Sequence, residues 1–174
     1  MKKAIITTSI FFFISLGTLF AQGHEHSPGD FQTEFTELIN SYLVLKDALI
    51  ESDAETALYA ASQMKEQLEE IGKHRLEGDD HMAWMEVYDS VESQLNAVTN
   101  STDLDELRTH FLPLSEELAE AAQRFGVERV VYVQHCPMAF DNEGGSWLSR
   151  EQQIANPYLP DTMLRCGRVI DSIE

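Results

Sequence analysis

Cationic side chains are scarce in this chain: twelve Lys and Arg stand against thirty Asp and Glu, for a formal net charge of −18. That balance argues against nucleic acid and anionic membrane as partners, because both are recognised through basic surfaces. Cysteine is nearly absent, with Cys136 and Cys166 the only two, which leaves room for a single disulfide. Long apolar runs are missing beyond the first twenty residues; nothing later approaches the roughly 18 uninterrupted apolar residues of a membrane span. Catalytic signatures are missing too. There is no His-Glu-x-x-His zinc motif, no phosphate-binding Gly loop and no nucleophile elbow. The many carboxylates fall mainly on the polar faces of helices, where solvation accounts for them. The expectation is a binding protein and not an enzyme.

What is present begins with a leader. Met1-Lys2-Lys3 is basic, residues 4–20 are apolar with only Thr, Ser and Gly interrupting, and small Ala21 follows. This is the layout of a secretory signal peptide spanning residues 1–21. Leu19 is larger than the residue preferred three positions before the cut, yet cleavage after Ala21 remains the natural choice. No Cys stands there to carry a lipid. The expected product is soluble and periplasmic or secreted, with no membrane association after cleavage. Its 153 residues suit one domain, residues 31–174, and loss of Lys2 and Lys3 takes the formal charge to −20. A polar linker, 22–30, should be mobile.

Amphipathic helices fill most of the remainder. Phe31, Phe35, Leu38, Tyr42, Leu45 and Leu49 recur at spacings of four and three, which predicts a helix over 31–51. Ser52 followed by Glu55 reads as a capping box for a second helix that buries Ala57, Ala61, Met64, Leu68 and Ile71 and closes at Gly72. A third helix shows Trp84, Tyr88, Val91, Leu95 and Val98, with Asp79 or Asp80 as its cap. The fourth begins near Asp103, carries its apolar phase past Pro113 with a kink, and ends at Gly126. The fold expected is all-α, an antiparallel four-helix bundle over 31–126. A small β and loop tail, 127–174, should pack on it, starting with a strand over 127–133.

The tail carries the distinctive chemistry. Cys136-Pro137-Met138 and Met163-Leu164-Arg165-Cys166 are two pairs of soft sulfur donors, and soft donors select Cu(I) or similar ions. An extended chain puts Cys136 and Met138 on one side, and the three-residue offset puts Met163 and Cys166 on one turn face. His135 adds an imidazole. The same two cysteines in an exported chain also fit a disulfide that fastens the tail, with both methionines as core filler. The residues alone leave the two readings open.

A resemblance bears on that choice. The segments Tyr42 to Leu49 and Phe111 to Ser115 resemble an uncharacterised domain family found alone in the periplasm or at the C-terminus of periplasmic adaptors of copper and silver efflux pumps. So do Tyr132 to Ala139, Gly145 to Ser149, Asn156-Pro157-Tyr158 and Met163 to Gly167, which look like its most specific signatures. The Cys-Pro-Met and Cys-Gly elements are also similar to the short heavy-metal modules of efflux proteins. The resemblance implies a Cu(I) site, with Ag(I) as an alternative occupant, built from Cys136, Met138, Met163, Cys166 and His135. It implies an efflux adaptor or another envelope protein as partner. The chain has no room for an adaptor's own hairpin, lipoyl or barrel domains.

Two weaker sites complete the inventory. Cleavage after Ala21 would leave Gln22-Gly23-His24 at the N-terminus, a nitrogen set suited to Cu(II), with Glu25 and His26 beside it. Against that, an N-terminal Gln cyclises and removes the amine. His81 and Met85 lie one helical turn apart, although Met at that spacing is usually core.

Overall fold

The computed structural model describes residues 28–174, with side chains from residue 31 onward. The leader and the linker as far as residue 27, with the proposed N-terminal copper ligands, lie outside the described residues. Four long helices come first: α1 Pro28–Ile50, α2 Ala54–Ile71, α3 Gly78–Thr99 and α4 Leu104–Phe125. Each packs antiparallel on the next, and α4 returns to α1. No helix among the described residues is long and apolar enough to cross a membrane.

The helix ends show where local signals were and were not decisive. Helix α1 starts at Pro28, three residues ahead of the expected position, and proline suits a first helical turn because its missing N–H has no partner to lose there. Ser52 is not the cap of α2. It takes a left-handed conformation (φ 58°) that closes α1, and the next amide, Asp53, donates back to the Ala48 carbonyl at 2.9 Å. Asp53 is the cap: its carboxylate accepts from the Thr56 amide at 3.0 Å and the Thr56 hydroxyl at 2.7 Å, and these bonds hold it below the usual carboxylate range. Asp79 and Asp80 do not cap α3 either; they lie in its first turn, where their charge complements the helix dipole. Helix α4 begins next to Asp103 as expected, and Asp103 caps it, accepting from the Glu106 amide at 2.9 Å while Glu106 reaches back to the Thr102 amide at 2.7 Å. Helix α4 runs through Pro113 unbroken to Phe125.

The predicted apolar stripes meet in one core that includes Phe35, Leu38, Leu45, Leu49, Met64, Leu68, Leu95 and Leu118. One end is aromatic: Phe31 lies edge-on to Trp84 (4.9 Å between centroids) and to Phe125 (5.4 Å), arrangements that suit the ring quadrupoles. Trp84 Nε1 donates to the Gly72 carbonyl at 2.9 Å, which ties the core to the end of α2.

The tail departs most from expectation. The protein is mostly helical but not purely all-α, because a three-stranded antiparallel sheet follows the bundle. Its strands are β1 Val131–Cys136, β2 Gly145–Ser149 and β3 Arg168–Ile173, in the order β2-β1-β3. Two short helical turns, α5 Ala139–Asn142 and α6 Pro160–Met163, lie between them. The strand expected over 127–133 begins only at Val131. The residues before it are spent in leaving α4: Glu128 N–H donates to Thr36 Oγ1, and the Arg129 and Val130 carbonyls accept from Arg150. The central pairs Val133–Leu148 and Gln134–Trp147 are buried although adjacent pairs face opposite sides, so the sheet is covered on both faces at its centre.

Polar pins hold this sheet to the helices. Strand β2 is an edge, and its Leu148 N–H donates to the buried Tyr42 hydroxyl at 3.1 Å, which also bonds Ser115 Oγ of α4 at 2.7 Å. Arg108, itself buried, donates to the Pro157 carbonyl (3.0 Å), the Leu49 carbonyl at the end of α1 (3.1 Å) and Ser52 Oγ (3.0 Å). Arg150 spans from the Arg129 carbonyl to Asn40 Oδ1 of α1, at 2.6 and 2.7 Å.

Two predictions follow from these pins. Arg108→Met keeps bulk but strips a charged donor from three buried acceptors, and should cost roughly 2–4 kcal/mol; urea unfolding should show a lower midpoint with an unchanged slope. Burial pushes the Tyr42 and Tyr158 hydroxyls above the ordinary tyrosine value. A raised folded-state pKa makes their contribution complete below the unfolded value of about 10 and lost as pH rises beyond it. Thermal stability should therefore fall between about pH 10 and 12, and Tyr42→Phe should flatten that decline.

Candidate soft-metal site in the C-terminal tail

Strand β1 carries His135 and Cys136 at its end, where Cys136 pairs with Gly145 of β2 and His135 pairs with Arg168 of β3. Cys166 lies two residues before Arg168, so the β1–β3 pairing brings it beside Cys136. The two are joined in a disulfide with Cα atoms 5.5 Å apart. Cys136 is fully buried and Cys166 partly so.

The approach to Cys166 is fixed by a compact loop. Asn156 Oδ1 accepts from the Tyr158 amide at 2.9 Å and the Leu159 amide at 3.3 Å, while the Asn156 amide donates to the Leu164 carbonyl at 2.9 Å. Helix α6 starts at Pro160, and the Cys166 amide bonds the Met163 carbonyl at 2.9 Å, which sets the Met163 to Cys166 turn. Glycines permit the close packing: a Cβ on Gly145 would stand 2.8 Å from the Tyr158 ring, and one on Gly167 would stand 3.0 Å from the His135 carbonyl. Gly167 also has a φ of +134°, which a side chain would disfavour.

Met138 and Met163, 45% and 39% exposed, line one open groove of about 610 Å³ together with Phe140, Tyr158, Leu159 and Arg108. Phe140, Asp141 and Asn142 on its rim all have positive φ, three successive left-handed residues without a glycine among them. Such backbone costs of order 1 kcal/mol per residue and persists where surrounding contacts over-determine it. Here the Phe140 ring packs against Tyr158 at 5.0 Å and the Gly144 amide bonds the Ala139 carbonyl at 3.0 Å. His135 and Cys166 line a second concavity of about 350 Å³ with Pro137, Gly167 and Arg168. His135 Nδ1 shares a hydrogen bond with Ser146 Oγ at 3.0 Å, which orients the ring. Trp147 is core: it is fully buried, packs edge-on against Tyr158 at 5.8 Å, and its indole N–H has no partner among the described residues.

The five residues singled out from the sequence are thus brought near one another as two groups. The cysteines meet, the methionines share a groove, and His135 accompanies Cys166. They do not open into one cavity, and the disulfide leaves no thiolate. Among the described residues no group of three or more His, Cys, Asp and Glu is placed to hold a metal ion. The donor set still suits a soft ion: two accessible thioethers and an imidazole with the disulfide closed, and two thiolates more once it is reduced. Phe140, Tyr158 and Arg108 were not foreseen as neighbours of the site. The Gly144-Gly145 and Asn156-Pro157-Tyr158 segments were the local sign that the chain folds tightly there. His81 stands at the start of α3, and its ring neighbour is His74.

Architecture and site together define a helical-bundle protein with a C-terminal sheet closed by a disulfide. Residues 38–129 match the family described as protein of unknown function (DUF3347), and the chain belongs to that family. The match covers α1 from residue 38 onward and α2 to α4, whereas the sulfur-bearing tail lies beyond it. No curated protein matches the chain. No solved structure matches it either.

The disulfide closes a loop with a sequence separation of 30 residues, for which chain entropy predicts a stabilisation of about 3.5 kcal/mol. Unfolding with and without a thiol reductant should differ by that order, and Cys136→Ser/Cys166→Ser should match the reduced protein. Equal stability in all three would show that the bond does not constrain the tail.

Proposed function

We propose that this protein binds a soft monovalent ion, Cu(I) or Ag(I), through the sulfur atoms of its tail, and either sequesters the ion or passes it to efflux machinery. The observation that carries the reading is the convergence of Cys136 and Cys166, each tethered within three residues to a half-exposed methionine, with Met138 and Met163 facing a common groove. Two pairs that are distant in the chain thereby supply four soft donors once the disulfide is reduced, two at the joined cysteines and two on the groove, with His135 as a fifth. The resemblance of the tail to metal modules of copper and silver efflux adaptors supports the same reading. The protein acts as a carrier and not as an enzyme, with an adaptor or another envelope protein as recipient. An exported, periplasmic location fits the leader-like N-terminus, and a disulfide fits an oxidising compartment.

The oxidised state constrains how such binding works. An envelope dithiol supplies two electrons and two protons to the Cys136–Cys166 bond and becomes a disulfide itself. The two thiols then lose their protons as they become ligands. Exposure of the methionines and of one side of Cys166 favours exchange with a partner over permanent burial. A second reading is favoured by the bond itself: a structural module whose disulfide fastens the tail while a bundle face docks onto an envelope protein.

Competition for Cu(I) separates the two. The reduced protein should take one Cu(I) from a competing chelator, and the oxidised protein should compete far less. Met138→Leu and Met163→Leu should each weaken Cu(I) binding at a stability cost below about 1.5 kcal/mol. Absence of competition after reduction would leave the stapled module as the reading that survives.

A further inference from the structure

A pair of imidazoles stands well apart from the tail. His74 lies in the loop between α2 and α3, and His81 in the first turn of α3, with ring centroids 5.4 Å apart and planes tilted by 31°. His74 is exposed and His81 partly buried. His81 Nδ1 is shut off from solvent with no hydrogen-bond partner among the described residues, and a buried polar nitrogen left so is unfavourable until something satisfies it.

The spacing is informative. Metal–nitrogen bonds of about 2.0–2.1 Å at a tetrahedral to trigonal angle put two imidazole centroids roughly 5–5.5 Å apart. The observed separation of 5.4 Å falls in that range, so the two rings already stand at the spacing that a shared ion requires. Met85 is one helical turn beyond His81 and so lies on the same face of α3, offering a thioether. Asp79 and Asp80 in that first turn are exposed and add negative potential for a cation, although Asp80 also pairs with Arg124 at 3.1 Å. Other nearby charges are engaged elsewhere: Lys73 with Asp89, and Arg75 with Glu34 at 2.9 Å.

We propose that His74 and His81 form a second metal site at the α2–α3 junction, a two-imidazole site for a divalent late transition ion such as Zn²⁺, completed by water and by Met85. Imidazole nitrogen is a borderline donor that suits Zn²⁺, Cu²⁺ and Ni²⁺, which distinguishes this site from the sulfur-rich tail. With only two protein imidazoles, the site is open to solvent ligands and exchangeable. It does not depend on the tail reading, because it needs neither cysteine.

The test uses the protein with its Cys136–Cys166 bond intact and Zn²⁺ as the probe, followed by calorimetry and by imidazole ¹⁵N chemical shifts. Zn²⁺ should shift the imidazole signals of His74 and His81 together, with one ion per pair. His74→Ala and His81→Gln should each weaken this binding by at least about tenfold, a loss that even outer-shell changes at metal sites produce. His110→Ala should match the parent. His74 is exposed in a loop, so its variant keeps the test open if the His81 variant fails to fold. No Zn²⁺-dependent shift at His74 and His81, or a shift at His81 that survives His74→Ala, overturns the proposal.

Discussion

The Tyr42 hydroxyl sits at the centre of the molecule, bonded to Ser115 of α4 and accepting the Leu148 N–H of β2. Edge strands expose a row of unpaired backbone groups, and a buried one must find partners outside the sheet. Tyr42 supplies a partner from the helical core, which makes the bundle and the sheet one structure. Ring contacts extend the connection: Tyr42 stacks on Phe111 at 5.1 Å, Phe111 meets Tyr158 at 5.9 Å, and Tyr158 meets Trp147 and Phe140. The groove lies along that chain of contacts, because Tyr158 packs against Phe111 of the bundle and against Trp147 of β2.

Arg108 adds the second constraint. One side chain satisfies a carbonyl at the end of α1, the hydroxyl of the left-handed Ser52 and a carbonyl of the tail. A guanidinium is suited to this because its fork presents several donors in fixed directions. The cost of the left-handed Ser52 is offset locally by this bond and by the helix-closing bond from Asp53 to Ala48. The sulfur residues therefore rest on a scaffold held by polar contacts as well as by burial.

Much of the bundle was legible from periodicity. Phe35, Leu38, Leu49, Leu68, Leu95 and Leu118 are buried as the stripes required, and α4 begins beside Asp103 as read from the sequence. Ser52 misled because a Ser followed by Glu three residues on satisfies a capping-box pattern whether or not Asp53 competes for the role. In the tail, β1 began late because Val127 and Glu128 are held against α1 by Thr36, a partner some ninety residues away in the chain. Strand β3 escaped notice since its residues are exposed apart from Ile173, so it shows no buried alternation.

By itself the sequence determined the helical periodicity, the acidic surface, the leader-like start and the presence of four soft donors in two pairs, since these reside in composition and short-range spacing. Only the tertiary structure decided that Cys136 and Cys166 meet, that Met138 and Met163 open onto a groove away from them, and that His74 stands beside His81. The physical reason is that these relations depend on strand register, on which glycines admit a neighbouring ring, and on loop closure over tens of residues. Local propensity encodes none of these.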